Sequence, residues 1–357
     1  MLALWVAIGH AGVFPLFSLP GQNGGLDLIA RAFRSIVWGP PAVIAFFVIS
    51  GFCIHYPYAR NARRCPILRF YARRYLRIFI PVAVTVAMFK IMFPQVVIVG
   101  SDSIFWRSVL WSVLCEEIFY ALYPVINRIG HSFGLAKVLA AAFIVGALVA
   151  WLSSPAEEWL DLGILGTAVV LLPVWLLGCH LAERVGSFKT ARSVYAIWIW
   201  RLGAWAMMWA AEMLHFHGGI SQTRTSIWLG VYAYFWLRAE IVRYQDRVPW
   251  AAWVWAGRWS YSLYLIHPLV IALCVGYGVF TDGSRLSWVG MMALILAGSY
   301  LFYLAVERPS HRLARRIAMF LPPEPSRRAQ DAASANDASR VETSFVMAVP
   351  PPGRLDL

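Results

Sequence analysis

The chain has 357 residues, of which 60% are hydrophobic and only 14% are charged, and it contains 18 tryptophans. This composition excludes an ordinary soluble globular protein and predicts an all-α polytopic membrane protein, because runs of about 20 apolar residues have the length that crosses a bilayer as a helix. The formal net charge is +13, but the chain has no soluble basic domain, so we expect no nucleic acid as a partner.

Ten transmembrane helices are predicted from the apolar runs. Their approximate ranges are 1–19, 36–56, 78–99, 106–126, 136–152, 160–180, 193–213, 225–238, 250–280 and 286–305. The runs are apolar on nearly every side and lack the period-two alternation of a membrane β-barrel. The five cysteines are odd in number and form no CxxC pair, so the sequence predicts neither a disulfide framework nor a metal site.

The positive charges indicate an orientation in the membrane. If the arginine-rich loop after the second helix is cytoplasmic, the loops on that side hold 19 Lys and Arg residues and those on the other side hold 5. By the positive-inside rule, both termini lie in the cytoplasm. We therefore expect a multi-pass membrane protein with this orientation. Residues 1–316 are predicted to form the membrane domain, and residues 317–357 a disordered cytoplasmic tail, because they are rich in Pro, Ala, Ser and charge.

His10 lies within the first predicted helix, between Gly9 and Ala11 and close to Gly12. An ionisable side chain inside a span costs a few kcal/mol, about 3 kcal/mol on insertion scales, so it marks a functional site by default. The alternative is a structural histidine that donates to a neighbouring carbonyl group. The sequence by itself supports both interpretations about equally.

Arg73, Arg74 and Arg77 lie at the predicted cytoplasmic mouth of the third helix. Guanidinium groups match phosphate oxygens in bidentate fashion, so a phosphate-bearing ligand is one interpretation. A topogenic patch that also contacts anionic lipid is the other.

Glu116 and Glu117 lie side by side in the fourth predicted helix. Neighbouring residues on a helix point about 100° apart, so one carboxylate is expected to face a site while the other pairs with an arginine or reaches an interface. Glu116 is about 17 Å along the helix from Phe105, near mid-membrane, which argues against simple wetting by bulk water.

The segment SYSLYLIHPL, residues 260–269, carries the last intramembrane polar stripe. Ser260, Tyr264 and His267 follow i, i+4, i+7 spacing and share one helix face. A hydrogen-bonding contact between helices and a catalytic role are equally compatible with this pattern.

Five motifs in order resemble the acyltransferase 3 family of integral-membrane acyltransferases that modify cell-surface glycans. FFVISGF at 46–52 is similar to the family's FFVLSGF, and RRYLRIFIP at 73–81 to its R-R-x-x-R-x-x-P element. WSVLCEEIFYALYP at 111–124 resembles WSLxxEExFYxxxP, SYSLYLIHPL resembles SYxLYLxHxP, and ERPSHRL at 307–313 resembles ExPxRR. The resemblance extends from residue 1 to about residue 316.

The resemblance implies transfer of an acyl group, usually acetyl from cytoplasmic acetyl-CoA, to a sugar hydroxyl of a polysaccharide or glycolipid. Acyl-CoA, the glycan acceptor and the bilayer are thus the expected partners, and no tightly bound cofactor is expected. The family's essential first-helix histidine corresponds to His10. The family's arginine eleven positions earlier would precede Met1, so we expect the natural chain to begin upstream. A transporter or flippase, or an inactive scaffold homologue, is the alternative function.

These expectations give a mechanism with named residues. His10 is predicted to act as general base on the sugar hydroxyl, and Glu116 to orient its imidazole as carboxylates do in hydrolytic triads. The arginines at 73, 74 and 77 are predicted to bind the phosphates of the coenzyme. Ser50, Tyr264 and His267 are assigned to substrate binding, and Ser50 or Cys115 would be the nucleophile in a covalent route.

Overall fold

The computed structural model describes residues 2–12, 14–15, 37, 39–59, 65–99, 103, 105–153, 158–188, 195–245 and 247–321. Within these ranges the chain is helical and contains no strand. The α-helices are α1 (Leu2–Ala11), α2 (Gly39–Ala59), α3 (Ile67–Met92), α4 (Trp111–Phe133), α5 (Leu135–Leu152), α6 (Gly163–Arg184), α7 (Tyr195–Phe216), α8 (Gln222–Tyr244), α9 (Ala251–Arg258), α10 (Ser260–Gly276), α11 (Arg285–Phe302) and α12 (Arg308–Phe320). Short π-helical stretches precede α4, at Trp106–Leu110, and join α11 to α12, at Tyr303–Glu307.

The all-α membrane architecture is confirmed, but the count of ten spans is not. Six helices in the described ranges are long and apolar enough to cross a membrane, or seven if α9 and α10 form one bent span. α1 is too short because it ends before Gly12, which has φ +84°. α7 and α8 are long enough, but their mean hydropathy is too low for a span, because they are rich in Trp, Tyr and polar side chains and share the Arg201–Glu240 ion pair.

Two predicted boundaries were wrong. α3 begins at Ile67, about three turns before the predicted start, so its arginines lie inside the helix. Arginine is a good helix former, and Pro66 directly precedes the first turn, where proline stops a helix from starting earlier. The predicted single helix at 250–280 is two helices, with a bend of 60° between α9 and α10.

The most extensive helix pairing in the described chain joins α2 and α6. A Cβ atom on Gly51 would lie 1.9 Å from the carbonyl oxygen of Trp175, and one on Gly178 would lie 2.0 Å from that of Val48. Only glycine permits backbones to approach this closely, which explains the glycine in the FFVISGF segment. The contact fixes the position of α2, which carries Ser50.

α11, the π-helical stretch and α12 form a continuous helix of 36 residues. At 1.5 Å per residue it is about 54 Å long, well beyond the hydrocarbon thickness of about 30 Å. Its last part, α12, packs along α3, and Arg69 donates two hydrogen bonds to the Leu321 carbonyl oxygen, at 2.9 and 2.6 Å. The part of the predicted tail beyond Leu321 lies outside the described residues.

Candidate active site

His10 and His267 form a hydrogen-bonded pair between α1 and α10. Nδ1 of His10 lies 2.8 Å from Nε2 of His267, and the rings stack at 5.0 Å with 13° between their planes. His10 is exposed, whereas His267 is fully buried. The pair therefore has one histidine that a ligand can reach and one held inside the protein.

The hydrogen bonds of this pair assign its protons. Nδ1 of His267 lies 3.0 Å from the Leu263 carbonyl oxygen, which only accepts, so this nitrogen carries the hydrogen. In the neutral ring, Nε2 of His267 is then an acceptor, and Nδ1 of His10 must be the donor to it. No described residue donates a hydrogen bond to Nε2 of neutral His10, which carries the lone pair. This is the nitrogen that a general base requires.

The first turn of α2 lies beside that free nitrogen. A Cβ atom on Gly39 would be 3.9 Å from Nε2 of His10, and one on Gly9 would be 2.9 Å from the Val37 carbonyl oxygen. The small residues next to His10 thus allow α1 to approach the start of α2. Gly9 in particular permits this close packing.

Glu116 belongs to a second polar cluster. Its Oε1 accepts hydrogen bonds from Ser50 and Tyr120, whose hydroxyl oxygens are 3.1 Å apart, and Trp175 donates from Nε1 to Ser50 Oγ at 3.3 Å. The guanidinium of Arg74 lies over the Tyr120 ring, 5.7 Å from its centroid. Glu116 is therefore held by α2 and by its own helix.

The predicted pairing of Glu116 with His10 does not appear among the hydrogen bonds of the described residues, where the partner of His10 is His267. Gly39, beside His10, and Ser50, beside Glu116, are eleven residues apart on α2, or about 16 Å. The two clusters thus lie at different depths. The neighbouring Glu117 is buried, and its carboxylate has no hydrogen-bond partner in the described chain.

Tyr264 lies between the two clusters. Ser112 donates to the Val109 carbonyl oxygen, at 2.9 Å, so the Tyr264 hydroxyl is the donor in its 2.6 Å bond to Ser112 Oγ. The Tyr264 ring lies 5.8 Å from that of Phe46 and 6.1 Å from that of His267. Tyr264 therefore shares an aromatic wall with α2 while its hydroxyl is already paired.

The three predicted phosphate ligands differ in exposure. Arg73 and Arg77 are exposed, whereas Arg74 is half-buried against Tyr120. An apolar cavity of about 320 Å³ lies between α1, α2, α8 and the break before α10, and Phe46 and Ile49 are in its wall. Because Phe46 also contacts the Tyr264 ring, the cavity borders the aromatic wall near His267.

Several residues of the site were missed from the sequence. Tyr120 follows Glu116 by four residues, so helical spacing could have indicated their contact. Ser112 and Trp175 gave no such signal, because their partners come from other helices. The described residues contain no group of three or more His, Cys, Asp or Glu side chains placed to hold a metal ion.

Comparison with known protein families identifies the family of this chain. A family model of acyltransferase 3 type, described as an acyltransferase domain, matches residues 1–304. Comparisons with curated proteins and with solved structures found no match. The matched range contains both histidines, the arginines of α3 and the Glu116 cluster.

Proposed function

The chain belongs to the acyltransferase 3 family and is a membrane acyltransferase, and we propose that it transfers an acyl group, in the simplest case acetyl, from acyl-CoA to a sugar hydroxyl of a surface polysaccharide or glycolipid. The observation that carries this proposal is the chain of hydrogen bonds in which His10 donates to His267 and His267 donates to the Leu263 carbonyl oxygen. It leaves His10 with a free basic nitrogen on an accessible side chain, which is what activation of a hydroxyl group needs.

In the proposed reaction, Nε2 of His10 takes the proton from the sugar hydroxyl as the oxygen attacks the thioester carbonyl carbon. The tetrahedral intermediate then collapses, the carbon–sulfur bond breaks, and the proton on His10 passes to the departing CoA thiolate. The hydrogen on Nδ1 of His10 stays on that nitrogen throughout the reaction. It forms the hydrogen bond to Nε2 of His267. His267 therefore takes the orienting role that the sequence had assigned to Glu116.

The donor is proposed to bind from the cytoplasmic side of an inner membrane of a bacterium, with both termini of the chain in the cytoplasm. Arg73 and Arg77 are exposed cations on α3 and suit the phosphates of CoA. Arg74 is held against Tyr120, next to Ser50 and Glu116. The apolar cavity beside Phe46 supports passage of the uncharged thioester arm toward His10.

The proposal is tested with purified protein in lipid vesicles, radiolabelled acetyl-CoA and a panel of surface glycans. We expect label to appear in a glycan with the wild-type protein and to appear at least about 100-fold more slowly with His10→Ala. Labelling of a glycan by His10→Ala at the wild-type rate would refute the general-base role. Movement of unmodified glycan across the vesicle membrane without label transfer would instead indicate a transporter.

A further inference from the structure

The break between α9 and α10 creates unpaired backbone donors inside the protein. α10 begins after Trp259, at a bend of 60°, and the first N–H groups of any helix have no partner within it. Ser262, in this first turn, is fully buried. Its N–H group therefore needs an acceptor from another element, because a buried unpaired donor costs about 1–3 kcal/mol.

Glu307 supplies that acceptor. Its carboxylate oxygen Oε2 accepts from the Ser262 N–H at 3.1 Å and from Ser262 Oγ at 2.5 Å, and the side chain is only 1% exposed. A carboxylate at a helix N-terminus is also favoured by the helix dipole. The other oxygen, Oε1, lies 3.5 Å from Nε2 of His311.

A local change in helix geometry accompanies this contact. Glu307 is the last residue of the π-helical stretch Tyr303–Glu307, which interrupts the long helix formed by α11 and α12. A π-helical turn changes the direction of the side chains that follow it and occurs often at functional positions. Here it coincides with the residue whose carboxylate reaches the core and caps α10.

Ser262 and His267 are five residues apart on α10, about 7.5 Å along the helix axis. The helix between them is a rigid element, so the position of its N-terminus sets the depth and rotation of His267. We propose that Glu307 is a positioning residue, which caps α10 and thereby holds His267 against His10. This inference rests on the proposed function of His10, and it gives a role to the first residue of the ERPSHRL segment, to which the sequence analysis assigned none.

The first test separates positioning from general stability. We expect Glu307→Gln to lower kcat for acyl transfer about 10-fold or more. KM for acetyl-CoA should change less than kcat, although the charge of Glu307 interacts with that of Arg77 on α3. Ser262→Ala keeps the backbone bond and should lower kcat less. Ser299→Ala is the matched control, since this buried serine on α11 has no hydrogen-bond partner in the described chain.

A double-mutant cycle shows whether Glu307 acts through His267. If it does, Glu307→Gln should change kcat by less than 2-fold when His267→Ala is already present, because coupled residues are not additive. The proposal would be overturned if Glu307→Gln lowered kcat by the same factor in the wild-type protein and in His267→Ala. A change in KM alone would also overturn it.

The second test does not depend on activity. Diethylpyrocarbonate modifies the free nitrogen of accessible histidines, and mass spectrometry follows the His10 peptide. We expect His10 to react about 3-fold more slowly in Glu307→Gln and Ser262→Ala, because a loosened His267 no longer fixes the lone pair on Nε2, and at the wild-type rate in Ser299→Ala.

The outcomes of this labelling distinguish the two proposals. An unchanged rate in folded Ser262→Ala and Glu307→Gln would overturn the positioning role whatever the acyl-transfer assay shows. If Glu307→Gln does not fold, the rate of His10 labelling in Ser262→Ala is sufficient to test the positioning role. Slower labelling together with no transfer to any glycan by the wild-type protein would support the link from Glu307 to His10 and refute the proposed reaction.

Discussion

His10 donates a 2.8 Å hydrogen bond from Nδ1 to His267, a residue 257 positions later in the chain. The bond joins the first described helix to the helix that begins at the break after Trp259. It gives His10 a neutral orienting partner instead of a carboxylate. A neutral acceptor fixes the tautomer of the base without adding a second charge to a membrane interior.

The first prediction concerns the proposed base. His10→Ala should lower kcat by roughly 10²–10⁴-fold, the usual contribution of general-base catalysis, with little change in KM for the donor. Transfer of label from acetyl-CoA to glycan measures it. His131→Ala is the control, because His131 is an exposed histidine at the end of α4. Equal activity of the two variants would contradict the role of His10.

The second prediction concerns the orienting residue. His267→Ala should reduce kcat about 10–100-fold, less than His10→Ala, because the base remains but its tautomer and direction are no longer fixed. Steady-state kinetics at saturating donor measures the effect. A variant of His267 with full kcat would show that the 2.8 Å contact has no part in catalysis.

The third prediction separates Glu116 from the base. Glu116→Ala leaves the hydroxyls of Ser50 and Tyr120 without their shared acceptor, so the free energy of unfolding should fall by about 1–3 kcal/mol. Denaturation in detergent micelles measures this loss, and Tyr120→Phe should give a smaller one. Labelling of His10 by diethylpyrocarbonate should stay at the wild-type rate. A slower rate in folded Glu116→Ala would instead support the pairing of Glu116 with His10 that was predicted from the sequence.

The fourth prediction concerns the donor site. Arg73→Ala and Arg77→Ala should each weaken acetyl-CoA binding about 5–30-fold, because each removes a charge-assisted hydrogen-bond donor. Calorimetric titration of the folded variants gives the affinities. Arg128→Ala, an exposed arginine on α4, is the control and should bind normally. If all three variants bind acetyl-CoA with the same affinity, the arginines of α3 only orient the chain in the membrane.

The fifth prediction concerns the α2–α6 contact. Gly51→Ala places a methyl group 1.9 Å from the Trp175 carbonyl oxygen, so the helices must move apart, at a cost of about 1–3 kcal/mol or more. Thermal unfolding in detergent measures it. Gly186→Ala is the matched control, because a Cβ atom there meets nothing within 4 Å. A Gly51→Ala variant that unfolds at the wild-type temperature would show that this close packing of α2 and α6 is not required.

The sequence determined the class of protein and many of the residues that matter. Inside a membrane, the backbone N–H and C=O groups of long apolar runs are all hydrogen-bonded only if each run is a helix. The all-α architecture therefore followed from the composition. The histidines and the glutamate pair were identified because ionisable groups are rare inside spans, and the arginines because guanidinium groups match phosphate oxygens. The count of ten spans is not confirmed in the described residues, because α7 and α8 have the length of a span but too low a mean hydropathy.

The partners of these residues were decided only by the tertiary structure. A hydrogen bond such as the one from His10 to His267 depends on how two distant helices pack, and no local spacing encodes that contact. The same reason explains why Glu116 was predicted beside His10 but lies beside Ser50 and Tyr120. Glu307 reaches Ser262 only because a π-helical stretch and a broken helix meet in the core. Periodicity gives the face on which a side chain lies, whereas the packing of helices decides what that face contacts.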